Sequence, residues 1–203
     1  MRKSMRKTML GHAALATLGV VALLAMGCSS SPSHFYTLSA NAAPGSSPLK
    51  VAIAVGPVSV PAAVDQPQIV VSTGANSVTF DEFNRWASPL QDNLARVIAE
   101  NLVAILGTPR VTLYPQSLNA SLDYRVQIDV RNFDSASGKQ AALDAVWTVR
   151  RMKDGKTDTG RTSVREAVPD NSYDALAAAH SRAAARMSQD IADAVRTLER
   201  AAP

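Results

Sequence analysis

The sequence predicts an α+β domain in which a mixed or antiparallel β-sheet carries two long α-helices packed on one face. Two long segments, one near the middle of the chain and one at its end, repeat apolar residues at helical spacing. Several other segments alternate apolar and polar residues, as strands with one buried face do. The length of 203 residues suits one such domain together with a targeting segment.

The N-terminal segment has the three parts of a bacterial export signal. Four cations within the first seven residues precede an apolar run from Met9 to Met26. The uninterrupted part of this run, Val20–Met26, is short for a transmembrane span. The run ends in Leu-Ala-Met-Gly followed by Cys28, the single cysteine. This ending resembles a lipobox, the motif cut by the lipoprotein signal peptidase, and predicts cleavage before Cys28.

We therefore expect three parts: a signal peptide at 1–27, a lipidated tether and linker at 28–48, and one domain at 49–203. Cys28 would carry N-acyl and S-diacylglycerol lipid, and no other cofactor and no metal is expected. The alternative, a free thiol behind a plain leader, is disfavoured because an unpaired cysteine is a liability in an exported chain. By the sorting rule for such lipoproteins, Ser29 in place of aspartate predicts the outer membrane, facing the periplasm.

Removal of the leader changes the charge of the chain. The full chain has 21 Lys and Arg against 17 Asp and Glu. The four surplus cations all lie in the leader, so the mature chain is close to neutral and nucleic-acid binding is not predicted. One local basic run contains Arg150, Arg151, Lys153 and Lys156. A solvated hairpin tip is favoured there over a phosphate or lipid-headgroup contact.

The first expected strands precede the first helix. Alternating apolar residues predict a strand at 49–55, and Gly56 and Pro57 predict a bulge or an edge at its far end. A second strand is expected at 68–72, and 78–80 would pair with it across a turn.

Capping residues mark the first helix. Ser88 is a candidate N-cap, Pro89 suits the first helical position, and Gly107 suits the residue after the end.

Three further strands and a last helix complete the domain. Strands are expected at 122–131, 141–150 and 159–168, with Asp154-Gly155 as a hairpin turn. A helix at 173–200 carries an alanine-rich apolar stripe that includes His180.

The residues predict neither a catalytic nor a metal site. The mature chain has two histidines: His34 near the tether, and His180, for which a core or interface position is favoured over a catalytic one. Asp81-Glu82 suits the charge before a helix, and Asp190 with Asp193 suits a solvated helix face. No nucleophile-elbow, phosphate-loop or zinc-protease motif is present.

Two segments have unusual surface composition, 62–70 and 81–90. Trp86 in the second is favoured as a hydrophobic cover of the core over a partner contact. Arg85 could pair with Glu82 or Asp81, or bond a carbonyl oxygen. The candidate partner-binding residues are Asp65, Gln66, Pro67, Arg85 and Trp86.

The mature chain resembles the ABC-type transport auxiliary lipoproteins, the PqiC (YmbA) family. The features that carry the resemblance are Cys28, Phe35-Tyr36-Thr37-Leu38, Asp65-Gln66-Pro67-Gln68-Ile69-Val70, Glu82 with Arg85-Trp86-Ala87-Ser88-Pro89-Leu90, and Trp147. The chain departs from the family at Gln66, where an arginine is usual, at Ser72, where an arginine is frequent, and at Ala63, where an aromatic residue is frequent.

The resemblance implies a non-catalytic role in lipid trafficking across the envelope. Partners would be an MCE-domain protein and ABC or membrane-embedded transporter components, together with the membrane itself through the lipid anchor. Self-association is also compatible with the resemblance. Two other hypotheses remain open: a lipoprotein that binds lipid or envelope polymer by itself, and an exported hydrolase using His180.

Overall fold

The computed structural model describes residues 31–115 and 121–201. The predicted signal peptide, Cys28 and Ser29 lie outside the described residues. A compact unit begins at Ser33. Neither helix in the described part combines the length and apolar character that crossing a bilayer requires.

The α+β class is confirmed, with two sheets in place of one. The strands are β1 (His34–Tyr36), β2 (Ile53–Ser59), β3 (Gln68–Gly74), β4 (Ser77–Trp86), β5 (Val111–Leu113), β6 (Tyr124–Ala136), β7 (Gln140–Arg151) and β8 (Thr157–Ala167), and the helices are α1 (Leu90–Leu106) and α2 (Tyr173–Arg200).

The larger sheet has the strand order β5-β2-β6-β7-β8. β2 runs parallel to both of its neighbours, and β6, β7 and β8 are antiparallel. The register of β2 against β6 shifts between Val55 and Val58, which confirms the bulge expected at Gly56 and Pro57. α1 packs on β2 and β5, α2 packs on β7 and β8, and the two helices pack on each other.

The smaller sheet has the order β1-β4-β3. β4 continues to Trp86, so the expectation that Asp81 and Glu82 supply charge before a helix is wrong. The Asp81 carboxylate accepts hydrogen bonds from the N–H groups of Phe83 (2.9 Å) and Asn84 (2.8 Å). These bonds satisfy backbone groups where the register of β4 against β3 shifts, so the strand continues past the irregularity.

The helices end as the sequence predicts, except that the start of α1 lacks the expected cap. Ser172 caps α2 by accepting a hydrogen bond from the Ala175 N–H at 3.1 Å. Gly107 ends α1 in the left-handed conformation (φ 63°), as predicted. Ser88 does not cap α1, because Pro89 occupies the cap position and no side chain bonds the first turn.

Residues 34–48, expected in the linker, are part of the domain. β1 pairs with β4, and Leu38 is 1% exposed. Polar side chains on both helices accept hydrogen bonds from the backbone that follows β1. The acceptors are Asn93 for Leu38 N–H (3.1 Å), Ser181 for Ser39 N–H (3.1 Å), and Asn101 for the N–H groups of Asn41 (3.1 Å) and Ala42 (3.0 Å).

Candidate functional site

The structure brings the two segments of unusual composition together. The Pro67 carbonyl accepts a hydrogen bond from Trp86 N–H at 2.8 Å, and Gln68 lies opposite Arg85. Asp65, Gln66 and Pro67 are exposed in the connection between β2 and β3. We call Asp65, Gln66, Pro67 and Arg85 the rim. Long-range strand pairing, rather than closeness in sequence, assembles it.

Arg85 pairs with Glu82 in two ways. Its Nε donates to the Glu82 carbonyl oxygen at 2.9 Å, and its guanidinium lies 3.7 Å from the Glu82 carboxylate. The Arg85 side chain remains 36% exposed despite this pairing. An exposed pair of this kind stabilises the fold by less than about 1 kcal/mol.

Asp81 links β4 to α2 and does not supply charge before a helix. The Tyr173 hydroxyl at the start of α2 donates to its carboxylate at 2.7 Å. Partial burial acts to raise the pKa of Asp81, but the hydrogen bonds from Tyr173 and the backbone outweigh it and hold the pKa below its ordinary value. Burial and the same bond raise the pKa of Tyr173. The hydrogen bond between Tyr173 and Asp81 therefore stabilises the packing of β4 on the start of α2.

Trp86 belongs to the core, as the favoured interpretation had it. It is 6% exposed and meets the Phe133 ring edge-on at a centroid distance of 6.1 Å. Its indole is therefore absent from the surface that a partner would touch. Partner binding by the rim residues stays a prediction.

His180 is also a core residue. It is 1% exposed and stacks on Phe133 at 3.8 Å. Its Nε2 hydrogen-bonds the Ser135 hydroxyl at 2.8 Å, while Nδ1 has no partner among the described residues. Burial lowers the pKa of His180 to about 3, so the imidazole is neutral at physiological pH. A serine that is 2% exposed does not meet a substrate, which makes this pair structural in the folded state.

The comparisons with known proteins bear on the whole domain. A family model described as ABC-type transport auxiliary lipoprotein component matches residues 36–192. The chain belongs to this family. The resemblance found in the residues is thus confirmed, and the family is one of auxiliary transport components rather than a known enzyme family.

Solved structures support the fold of this auxiliary lipoprotein. One, of an uncharacterized protein, is 19% identical with a TM-score of 0.67, covering 81% of this chain and 99% of that one. Another, from Xanthomonas campestris and of the family DUF330, is 19% identical with a TM-score of 0.64, covering 78% of this chain and 92% of that one. No curated protein matches the chain. At these identities the likeness shows the fold alone.

The acidic pair of α2 lies on a solvated face, as predicted, since Asp190 and Asp193 are both exposed. Asp193 pairs with Arg196 at 3.3 Å. Asp190 accepts a hydrogen bond from Thr162 of β8 at 2.5 Å. Thr162 in turn accepts one from the Trp147 indole at 3.0 Å. Within residues 31–115 and 121–201, no group of three metal-ligating side chains is found.

The basic run of the auxiliary lipoprotein is only partly solvated. Arg150, Lys153 and Lys156 are exposed, but Arg151 is 5% exposed, so the solvated interpretation is wrong for it. Its guanidinium pairs with Asp154 at 2.6 Å and donates to a carbonyl oxygen at the end of α2 at 2.5 Å. This pairing lowers the pKa of Asp154. Arg151 thereby connects the β7–β8 hairpin to the end of α2.

A set of exposed apolar residues lies outside the site that the sequence predicts. Phe80 and Phe83 lie in β4 and are 47% and 44% exposed. The sequence predicts the approach to a helix from residue 81 onward, where the structure has the second half of β4. The alternation of Val78 with Phe80 was the available signal for a strand with an apolar outer face.

Proposed function

We propose that this chain is an outer-membrane-anchored periplasmic accessory lipoprotein of an ABC/MCE-type lipid transport system. It docks the outer end of an MCE-protein bridge to the membrane and so supports envelope integrity. The family match over residues 36–192 is the observation that carries the proposal. The lipobox before Cys28 and the serine after it support the anchor and its location.

The structure supports binding rather than chemistry as the task of the domain. The rim offers exposed polar and proline groups in the loop that leads into β3, and the guanidinium of Arg85 on the paired strand β4. The histidine that a hydrolase would use is buried in the core. The bond from Trp86 N–H to the Pro67 carbonyl holds this loop against β4, and such prearrangement limits the entropy lost on binding.

The test is affinity purification of the tagged full chain from detergent-solubilised membranes, followed by mass spectrometry of the associated proteins. We expect an MCE-domain protein or a transporter subunit to be enriched. Arg85→Glu should reduce that enrichment severalfold, because it reverses the charge on the rim. The control Arg150→Glu, exposed at the end of β7, should leave it unchanged.

A second experiment tests the lipid anchor and the alternative in which the protein binds lipid by itself. Cys28→Ala should abolish acylation, as the intact mass will report, and should release the protein from the membrane. A clean preparation without transporter components would contradict the docking role. Native mass spectra that show lipid retained by the Cys28→Ala chain would instead favour a lipoprotein that binds lipid by itself.

A further inference from the structure

The outer face of the small sheet carries an apolar patch. Its members and their exposed fractions are Phe35 (65%), Val78 (53%), Phe80 (47%) and Phe83 (44%). The patch holds three of the chain's four phenylalanines. Val78 and Phe80 are two residues apart in β4 and so lie on the same side of it. A clustered set of exposed aromatic side chains, unlike scattered ones, indicates an interaction surface.

The strand register places Phe35 and Phe80 on one face. Phe35 of β1 and Gln68 of β3 both lie opposite Arg85. Val70 of β3 lies opposite Phe80. Residues opposite each other share a face, and so do Gln68 and Val70, two residues apart in one strand. The exposed members of the patch lie on β1 and β4, while Gln68 and Val70 of β3 on this face are half-buried and buried.

The charges around the patch are already matched. Arg85 pairs with Glu82, and the Asp81 carboxylate is bonded by Tyr173 and two backbone N–H groups. No unmatched charge in this group directs an anionic or cationic ligand to the patch. The chemistry that fits is an apolar one with tolerance for aromatic rings.

The length of chain before the patch restricts what can cover it. Six residues lie between Cys28 and Phe35, so seven Cα-to-Cα steps join them. A fully extended chain of that length spans at most about 25 Å. A lipid on Cys28 would thus keep Phe35 within about 25 Å of the bilayer surface. A single anchor also gains from a second, weak membrane contact, since the two act together.

We propose that the patch rests on the bilayer, with its phenylalanine rings among the upper acyl chains. This inference depends on the proposed lipidation of Cys28. Phenylalanine is among the residues that interfacial surfaces bury at the boundary between headgroups and acyl chains. The rim adjoins the patch through Arg85, so a partner bound at the rim would sit at the membrane surface.

The test measures how close the patch comes to lipid. The acylated full chain is reconstituted in phosphatidylcholine vesicles with brominated acyl chains, which quench nearby tryptophan. Phe35→Trp is compared with Met152→Trp, a control that is 46% exposed at the β7–β8 turn. The native Trp86 and Trp147, 6% and 7% exposed, give both variants the same background. We expect at least twofold stronger quenching of the added tryptophan at position 35.

The other outcomes separate the two proposals. Equal quenching of both variants in a protein whose mass shows acylation would overturn the membrane contact and leave the anchoring role intact. A blue-shifted but unquenched tryptophan at position 35 would mean that protein, either a second copy or a partner, covers the patch, and would also overturn it. A mass without acyl chains would overturn both proposals.

Discussion

Mild acid should destabilise the domain through His180. Burial lowers the pKa of this residue to about 3 in the folded chain, against about 6.5 in an unfolded one. Above pH 6.5 neither state binds the proton, so the full stability is present. Below it, the unfolded chain takes up a proton that the folded chain does not. The free energy of unfolding then falls by about 1.4 kcal/mol per pH unit until the folded pKa is reached.

We expect the free energy of unfolding to fall by about 2 kcal/mol between pH 7.5 and pH 5.0. Hydrogen bonds and ion pairs hold the pKa values of Asp81, Asp144 and Asp154 below their ordinary range. The window separates the histidine from these carboxylates, because an unfolded carboxylate takes up its proton only near pH 4, about one unit below the window. Those carboxylates begin to destabilise the fold only as the pH falls further. A loss of about 2 kcal/mol is a large part of the stability of a typical domain.

The assay is urea unfolding at the two pH values, followed by far-ultraviolet circular dichroism. His180→Gln keeps an amide that can bond the Ser135 hydroxyl but has no proton to gain. The free energy of unfolding of His180→Gln at pH 7.5 will differ from that of the parent. Its decrease between pH 7.5 and pH 5.0 should be smaller than about 0.5 kcal/mol. The control His34→Gln, at an exposed position in β1, should keep the full change.

Either of two results would refute this reasoning. A parent chain with equal stability at both pH values would mean that the ring accepts a proton in the folded core. An undiminished change in His180→Gln would place the titrating group elsewhere.

Two further substitutions test the packing. A Cβ on Gly160 would lie 2.3 Å from the buried Trp147 ring, so Gly160→Ala should lower the free energy of unfolding by about 1–3 kcal/mol, measured in urea. Gly74→Ala is the control, since its nearest neighbour would be at 3.8 Å, and a comparable loss there would contradict the packing argument. Arg151→Leu should lower the thermal midpoint, because it leaves a carboxylate and a buried carbonyl oxygen unpaired. Arg150→Leu, at an exposed site, should not, and equal midpoints for the two variants would count against a role for the buried pair.

Elements governed by local patterns could be predicted from the sequence. The last helix was expected at 173–200 and is found at Tyr173–Arg200, because a capping serine and an unbroken apolar stripe determine its extent. The hairpins of β6, β7 and β8 follow from strict alternation and from turn residues. The position of His180 in the core also follows from its place on the stripe.

Elements that depend on distant pairing could not be predicted. β4 extends to Trp86 because β1, about 50 residues earlier, pairs alongside it in parallel. Ser88 and Pro89 predict the start of a helix, but they give no information about the strand that ends at Trp86. The division into two sheets and the meeting of Gln68 with Arg85 at the rim are likewise products of register, which one sequence does not reveal.

The bonds from both helices to the backbone after β1 also determine how the domain bears mechanical tension. If Cys28 holds a lipid, any pull between the membrane and a docked bridge enters the domain through this short stretch. Asn93 and Asn101 receive part of the load on α1, and Ser181 receives part of it on α2. Because the acceptors are spread over about two turns of one helix and a second helix, force is shared among several bonds. The loss of one bond would leave the tether attached, as the proposed docking role requires.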